Sequence, residues 1–367
     1  MRIGVPKEIK VHEYRVGAQP TGVRQLVQAG HEVLIETGAG DGSGFADTSY
    51  AAAGGKIVPT AADAWSAEMV MKVKEPLPAE YEHFRPGLVL CTYLHLAAAP
   101  DLTHRLLETG VRSLAYETVS DALGGLPLLR PMSEIAGRMS AQVGASCLER
   151  EHGGKGLLLS GVPGTRKGRV TILGGGIVGT AAARMAIGHG AEVTILDVSA
   201  ERMAYLEDVF GSAIETLYSN PDAISDRVSE ADLVIGAVLI PGGAAPKLVD
   251  EQLVRDMSPG SVIVDVAVDQ GGCISTCRPT THDEPTYVVD DVVHYCVANM
   301  PGAVPHTSTC ALTNVTIRPA LQIAEDGLEA AARHSPHLKN GINTWDGDCT
   351  IEAVAAAHGL EYTPLAF

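Results

Sequence analysis

Three observations predict an α/β protein made of two parallel-sheet domains joined by long helices. Short apolar strands alternate with helical segments along most of the chain. A glycine-rich turn stands between a strand and a helix near the middle. With 367 residues, the chain can build two domains that each hold a core.

The first domain opens with the strand Arg2–Val5, a helix over 21–29 ended by Gly30, and a second strand over 31–36. The loop Gly38-Ala39-Gly40-Asp41-Gly42-Ser43-Gly44 follows. Residues 69–73, 88–94 and 113–116 are short apolar strands separated by helical or turn segments. From 131 to 151 an alanine-rich stretch without Gly-Pro breaks predicts a long helix leading to Gly153-Gly154. After 197 the alternation resumes with strands at 233–238, 262–268 and 287–289. From Thr307 onward the pattern reads as helical to the end, most clearly over 313–324. These boundaries put 1–130 in a substrate-binding domain completed by helices in 305–367, and 131–304 in a nucleotide-binding domain.

The glycine turn carries the strongest local signal. The strand Val170-Thr171-Ile172-Leu173 runs into Gly174-Gly175-Gly176-Ile177-Val178-Gly179, a G-x-G-x-x-G sequence. A helix from Thr180, a second strand over 192–196 and Asp197 complete a Rossmann-like unit. In such a unit Gly174 permits the tight turn, Gly176 lets backbone approach a pyrophosphate, and Gly179 lets helix and strand pack closely. The pyrophosphate would sit on the unpaired amides of the helix N-terminus. Asp197 is placed to accept from a ribose 2′-hydroxyl, which favours NAD over NADP, whereas the nearby Arg202 would suit a 2′-phosphate. Both are candidate cofactor contacts.

Composition excludes several classes. A net charge of −17 argues against a nucleic-acid or anionic-membrane surface. No apolar run reaches the length of a bilayer span, and the first residues lack the apolar region of a signal peptide. Seven scattered cysteines suggest reduced thiols in a cytoplasmic protein. Cys273 and Cys277 have no second ligand pair at zinc spacing, and neither is expected to have a redox role.

In an open parallel sheet, ligands bind beyond the carboxyl ends of the strands. That rule selects Arg15 after the first strand, Lys74 and His95 at two further strand ends, and Glu117 after 113–116. Taken singly these are ordinary: a strand-end lysine is usually a solvated charge, His95 between two leucines can be a core histidine, and Arg15 can pair with a nearby acid. Their recurrence at equivalent sheet edges suggests a site for a carboxylate beside a carbonyl or amine. In the second domain Asp265 lies within a strand, while Asp269 stands at its carboxyl end and is the better functional candidate.

These residues fall in recognisable runs. Val5-Pro6-Lys7-Glu8, Glu13-Tyr14-Arg15-Val16, Val73-Lys74-Glu75-Pro76 and Tyr93-Leu94-His95-Leu96-Ala97 closely resemble the bacterial L-alanine dehydrogenase family. So do Pro131-Met132-Ser133-Glu134-Ile135-Ala136-Gly137-Arg138, Val264-Asp265-Val266-Ala267-Val268-Asp269-Gln270-Gly271-Gly272 and Val297-Ala298-Asn299-Met300-Pro301. The resemblance spans essentially the whole chain in order. It implies reversible oxidative deamination of L-alanine to pyruvate and ammonia, with NAD as hydride acceptor. By that resemblance Arg15 and Lys74 bind the substrate carboxylate and carbonyl region, His95 is the general acid/base, and Asp269 assists proton transfer. Ser133, Asp197, Ser219, Val238, Leu239 and Asn299 look like cofactor contacts of the family. The expected course is hydride loss from Cα, attack of water on the resulting iminium with His95 taking a proton, and collapse of the carbinolamine. Tyr93, Tyr116, Leu129 and Met132 are expected to narrow the pocket around the methyl group, which selectivity against longer amino acids would measure.

The resemblance also implies a homohexamer. Some relatives hold a metal near the helix after Thr313. Here Gln322 and Asp326 stand there without the expected Glu and His, so no metal is expected. Two relatives compete: the NAD-binding part of proton-translocating transhydrogenase, and saccharopine dehydrogenase. A catalytically idle NAD sensor would keep the glycines and lose Arg15, Lys74 and His95, which this chain retains.

Overall fold

The computed structural model describes residues 1–238, 245–268 and 271–367. It divides into two compact units, Met1–Met132 with Gly302–Phe367, and Ser133–Pro301.

The first unit is an eight-stranded sheet. Its parallel part comprises β1 (Arg2–Val5), β2 (Glu32–Glu36), β3 (Lys56–Val58), β4 (Met69–Met71), β5 (Val89–Thr92) and β6 (Arg112–Ala115). The order β3-β2-β1-β4-β5-β6 reverses direction between β1 and β4, creating a switch point at their carboxyl ends. β4 and β5 are fully buried, and apolar but for Thr92, as expected of central parallel strands covered on both faces. The helices α1 (Pro20–Gln28), α2 (Asp47–Ala52), α3 (Ala61–Trp65) and α4 (Pro100–Thr109) make the connections.

The chain leaves this unit along α5 (Arg130–Cys147) and returns through a short turn at Met300–Ala303. That turn leads into α10 (Pro305–Asp326), whose Thr309 hydroxyl accepts the Val16 amide at 3.2 Å. The expectation of helix from Thr307 to the end fails after α11 (Leu328–His334) and α12 (Pro336–Gly341). A hairpin, β14 (Ile342–Trp345) and β15 (Asp348–Cys349), extends the sheet antiparallel to β6 before α13 (Glu352–His358). Its signal is the turn Asp346-Gly347, where both residues have positive φ, +49° and +104°. Asp-Gly between extended segments marks a two-residue hairpin.

The second unit holds β7 (Arg169–Leu173), β8 (Glu192–Asp197), β9 (Glu215–Tyr218), β10 (Leu233–Gly236), β11 (Val262–Asp265), β12 (Thr286–Val289) and β13 (Val292–Tyr295). Their order is β12-β13-β11-β10-β7-β8-β9, with only β12 antiparallel. The same switch recurs between β7 and β10. The strand expected over 262–268 stops at Asp265, because Ala267 and Cys273 turn their amides onto that residue's side chain. Helices α6 (Ile177–Gly188), α7 (Ala200–Phe210), α8 (Pro221–Ser229) and α9 (Glu251–Asp256) flank the sheet.

Candidate functional site

Four adjacent parallel strands of the first unit, β1, β4, β5 and β6, deliver the candidate side chains. Arg15, in the loop after β1, is 2% exposed. Burying a guanidinium requires a partner, and Glu13 supplies it with bonds of 2.7 Å to Nε and 2.6 Å to Nη2. Burial alone would lower the Arg15 pKa; the Glu13 bonds and charge outweigh it, so the group is held above its ordinary value. Its Nη1 lies 3.2 Å from Met132 Sδ, a weak acceptor.

Lys74 follows β4 and is half-buried. Burial lowers its pKa first; Glu75 opposes that, and the charges of Arg15 and Lys10 lower it further. Beneath them lies a triad that the sequence reading missed. Lys72 is fully buried and pairs with Glu8 at 2.9 Å and Glu80 at 2.8 Å. Glu8 also accepts the amides of Val73 at 2.7 Å and Lys74 at 3.3 Å, so the ionic cluster fixes the segment that presents Lys74.

His95 follows β5 with its side chain exposed between buried Leu94 and Leu96, so it is not a core histidine. Its ring lies nearly parallel to that of Tyr93, at 8° with centroids 6.2 Å apart. The Tyr93 hydroxyl donates to the Leu128 carbonyl at 2.7 Å, and its ring meets Tyr116 edge-on. The Arg15 charge acts on Tyr93 as well. Arg15, Lys74 and His95 thus follow three adjacent strands, and Tyr93, Tyr116 and Met132 are buried while Leu129 is half-buried.

The second unit builds its site from backbone. Gly174 has φ +99° and ends β7 in a turn that side chains rarely adopt. At Gly179 a Cβ would stand 1.9 Å from the Gly174 carbonyl oxygen, so only glycine allows α6 to cross β7 there. Gly176 caps α6 without a side-chain bond, and a Cβ there would meet nothing within 4 Å. Open space over uncapped helix amides fits a phosphate group. Asp197 accepts the Gly175 amide at 2.7 Å through Oδ2 and the Ser199 amide at 2.9 Å through Oδ1. Each oxygen retains a lone pair for a ribose hydroxyl. Arg202 folds onto the same turn, donating to the Gly175 carbonyl at 2.5 Å and to Thr180 Oγ1 at 2.5 Å, and lies over the Tyr205 ring.

The Ser219 amide bonds the Asp197 carbonyl at 2.9 Å, and Val238 lies at the Gly174 turn. Ser133 is half-buried in α5, one turn before Gly137. Gly137, missed from the sequence, permits a close crossing: a Cβ would lie 2.2 Å from the Val178 carbonyl oxygen. Asn299 uses its carbonyl on His282 Nε2 at 2.9 Å. Leu239 and Asp269 lie outside the described residues. Asp265 is fully buried and accepts the amides of Ala267, Cys273 and Ile274. Its burial outweighs those bonds and pushes its pKa up to about 6. Among the described residues no group of three or more His, Cys, Asp or Glu is arranged to hold a metal. Gln322 donates to the Ala331 carbonyl at 3.4 Å.

A glycine turn with a carboxylate beside it in one unit, and two cations with a histidine at strand ends in the other, are the features expected of the class of nicotinamide-dependent oxidoreductases. Family models for the alanine dehydrogenase/PNT N-terminal and C-terminal domains match residues 4–136 and 140–352. The chain belongs to the alanine dehydrogenase/PNT family, and within it is an amino-acid dehydrogenase of the alanine dehydrogenase type. It is 60% identical over 365 residues to the alanine dehydrogenase of Bacillus subtilis (strain 168), covering 99% of this chain and 96% of that one. The alanine dehydrogenase of Geobacillus stearothermophilus is also 60% identical, with 99% and 98% covered. A solved L-alanine dehydrogenase superposes with a TM-score of 0.96 at 56% identity, covering 98% of this chain and 99% of the other. A transhydrogenase from Sinorhizobium meliloti, at 23% identity and a TM-score of 0.82, shares the fold over 96% of this chain and all of that one.

Proposed function

We propose that the protein interconverts L-alanine with pyruvate and ammonia using NAD, with Arg15 and Lys74 as substrate ligands and His95 as general acid/base. The observation that carries this assignment is the grouping of two cations and one exposed imidazole at neighbouring strand ends. Glu13 fixes the Arg15 fork, and the Nη1 edge facing Met132 receives the substrate carboxylate. Lys74 holds the carbonyl side of the anion. When bound, NAD supplies the acceptor for the Cα hydride. His95 takes the proton from the water that attacks the iminium carbon, and returns a proton as ammonia leaves. Asp269 assists that transfer. Gly174, Gly176, Gly179 and Asp197 hold the dinucleotide, with Ser133, Arg202, Ser219, Val238, Leu239 and Asn299 as further contacts. The carboxylate of Asp197 favours a free ribose hydroxyl over a 2′-phosphate, which supports NAD over NADP. A homohexamer in the cytoplasm completes this reading, and no helix of the described residues is long and apolar enough to cross a membrane.

The test is NADH formation from L-alanine and NAD by the wild type and His95→Ala, with NADH binding measured on both. Turnover that falls by about 10³-fold or more in the variant, with binding intact, is expected. Wild-type NADH binding without alanine turnover would sink the assignment. Sedimentation would check the hexamer.

A further inference from the structure

We infer that Glu117 is a positioning residue that holds His95 in its working conformation. This rests on the role proposed for His95. His95 has φ +51° and ψ +41°, a left-handed conformation that is strained for a residue with a Cβ. Such a conformation persists only where the surroundings enforce it. The enforcing group is the Glu117 carboxylate, two residues beyond the end of β6. Its Oε1 accepts the His95 amide at 2.6 Å and the Leu94 amide at 3.1 Å, and Oε2 lies 3.3 Å from the Leu94 amide. Two successive N–H groups converge on one anion, which the ordinary extended continuation of β5 would not allow, because its amides alternate in direction.

The turn is closed on the other side as well. The Ala98 amide returns to the His95 carbonyl at 3.0 Å, and buried Leu94 and Leu96 anchor both flanks. The imidazole therefore projects outward along the Tyr93 ring, whose own hydroxyl is tethered to Leu128. Glu117 acts through backbone. Its task is to set the direction of the ring, and the neighbouring cations keep the substrate.

The experiment compares Glu117→Ala, Glu117→Gln and His95→Ala in steady-state alanine oxidation by the full-length protein. Glutamine keeps one oxygen for both amides, whereas alanine keeps none. Glu117→Ala is expected to lower kcat about 10–100-fold, with KM for alanine changed less than about 3-fold, since misaiming a catalytic group by about 1 Å costs on that order. Glu117→Gln should return kcat to within about 5-fold of wild type, because the acceptor geometry survives. A kcat in Glu117→Ala within about 3-fold of wild type, a parallel rise in KM, or a glutamine variant no better than alanine would each overturn the inference. If Glu117→Ala does not fold, Glu117→Asp replaces it: the charge remains but the reach is shorter, and the same selective loss of kcat must appear. An active His95→Ala would instead overturn the role of His95, so the two failures are distinguishable.

Discussion

The two sheets arrange their first five strands in the same order, with the switch at the same place, yet they prepare their edges by opposite means. At the switch of the second unit, between β7 and β10, the strand-end surface is glycine backbone, shaped by what a Cβ would strike. At the switch of the first, between β1 and β4, it is charged side chain: Arg15 is held by Glu13 in its own loop, and the segment presenting Lys74 is held by Glu8, which pairs with the buried Lys72. A large extended ligand with its own phosphates needs little from the protein beyond aligned amides and room. A small anion offers few atoms, so each must meet a strong, pre-aimed charge, and the fold must stabilise those charges before the ligand arrives.

The sharpest break of the backbone-built edge is Gly179→Val. With a Cβ placed 1.9 Å from the Gly174 carbonyl oxygen, α6 and β7 must separate. The expected outcome is loss of NADH binding and destabilisation of the unit by on the order of 3–5 kcal/mol. Titration of tryptophan or nucleotide fluorescence and denaturant unfolding would read both. On the charge-built edge, Lys72→Met removes the cation shared by Glu8 and Glu80 while preserving apolar bulk. Leaving buried carboxylates unpaired is expected to cost about 3–5 kcal/mol in denaturant unfolding. A loss below about 1 kcal/mol would mean that the triad does not hold this edge together.

This contrast also explains what the sequence disclosed. Gly174, Gly176, Gly179 and Asp197 form a local word: a strand, a turn, a helix and an acid at fixed spacing, readable without knowing the fold. The places of Arg15, Lys74 and His95 after β1, β4 and β5 were legible because strand ends are predictable. Their supports were not. Glu8 meets Lys72 across 64 residues, and Glu117 meets the His95 amide across 22, so neither pairing leaves a periodic trace. The C-terminal hairpin was missed for a different reason. Helices on both sides set the expectation, although Asp346-Gly347 carried the turn signal in plain view.

A milder change separates shape from recognition at the nucleotide edge. A Cβ on Gly176 meets nothing, and the residue's φ of −62° suits alanine. Gly176→Ala should therefore unfold like the wild type while its methyl occupies space needed by a phosphate. The expected NADH affinity loss is about tenfold, equal to about 1.4 kcal/mol. Equal binding by variant and wild type would move the phosphates away from this turn.

The smallest effect tests whether the charged edge is bought at the expense of stability. Burial, with Arg15 and Lys10 nearby, holds the Lys74 pKa below its ordinary 10.5 despite the opposing charge of Glu75. At neutral pH the lysine is charged in both folded and unfolded chains, and the folded chain carries the full penalty. As pH rises through the lowered folded value toward 10.5, the folded state releases its proton first. The unfolded chain then binds more protons, so this group makes stability increase with pH in that window. Lys74→Gln removes the penalty and that slope together. It should raise neutral-pH stability by about 0.5–1 kcal/mol while abolishing turnover, as expected where a functional charge is strained. Urea unfolding at neutral pH and just below 10.5 measures the difference. A variant less stable than wild type would show that the charge of Lys74 is a structural partner, and that this edge is stabilised by its cations before any substrate binds.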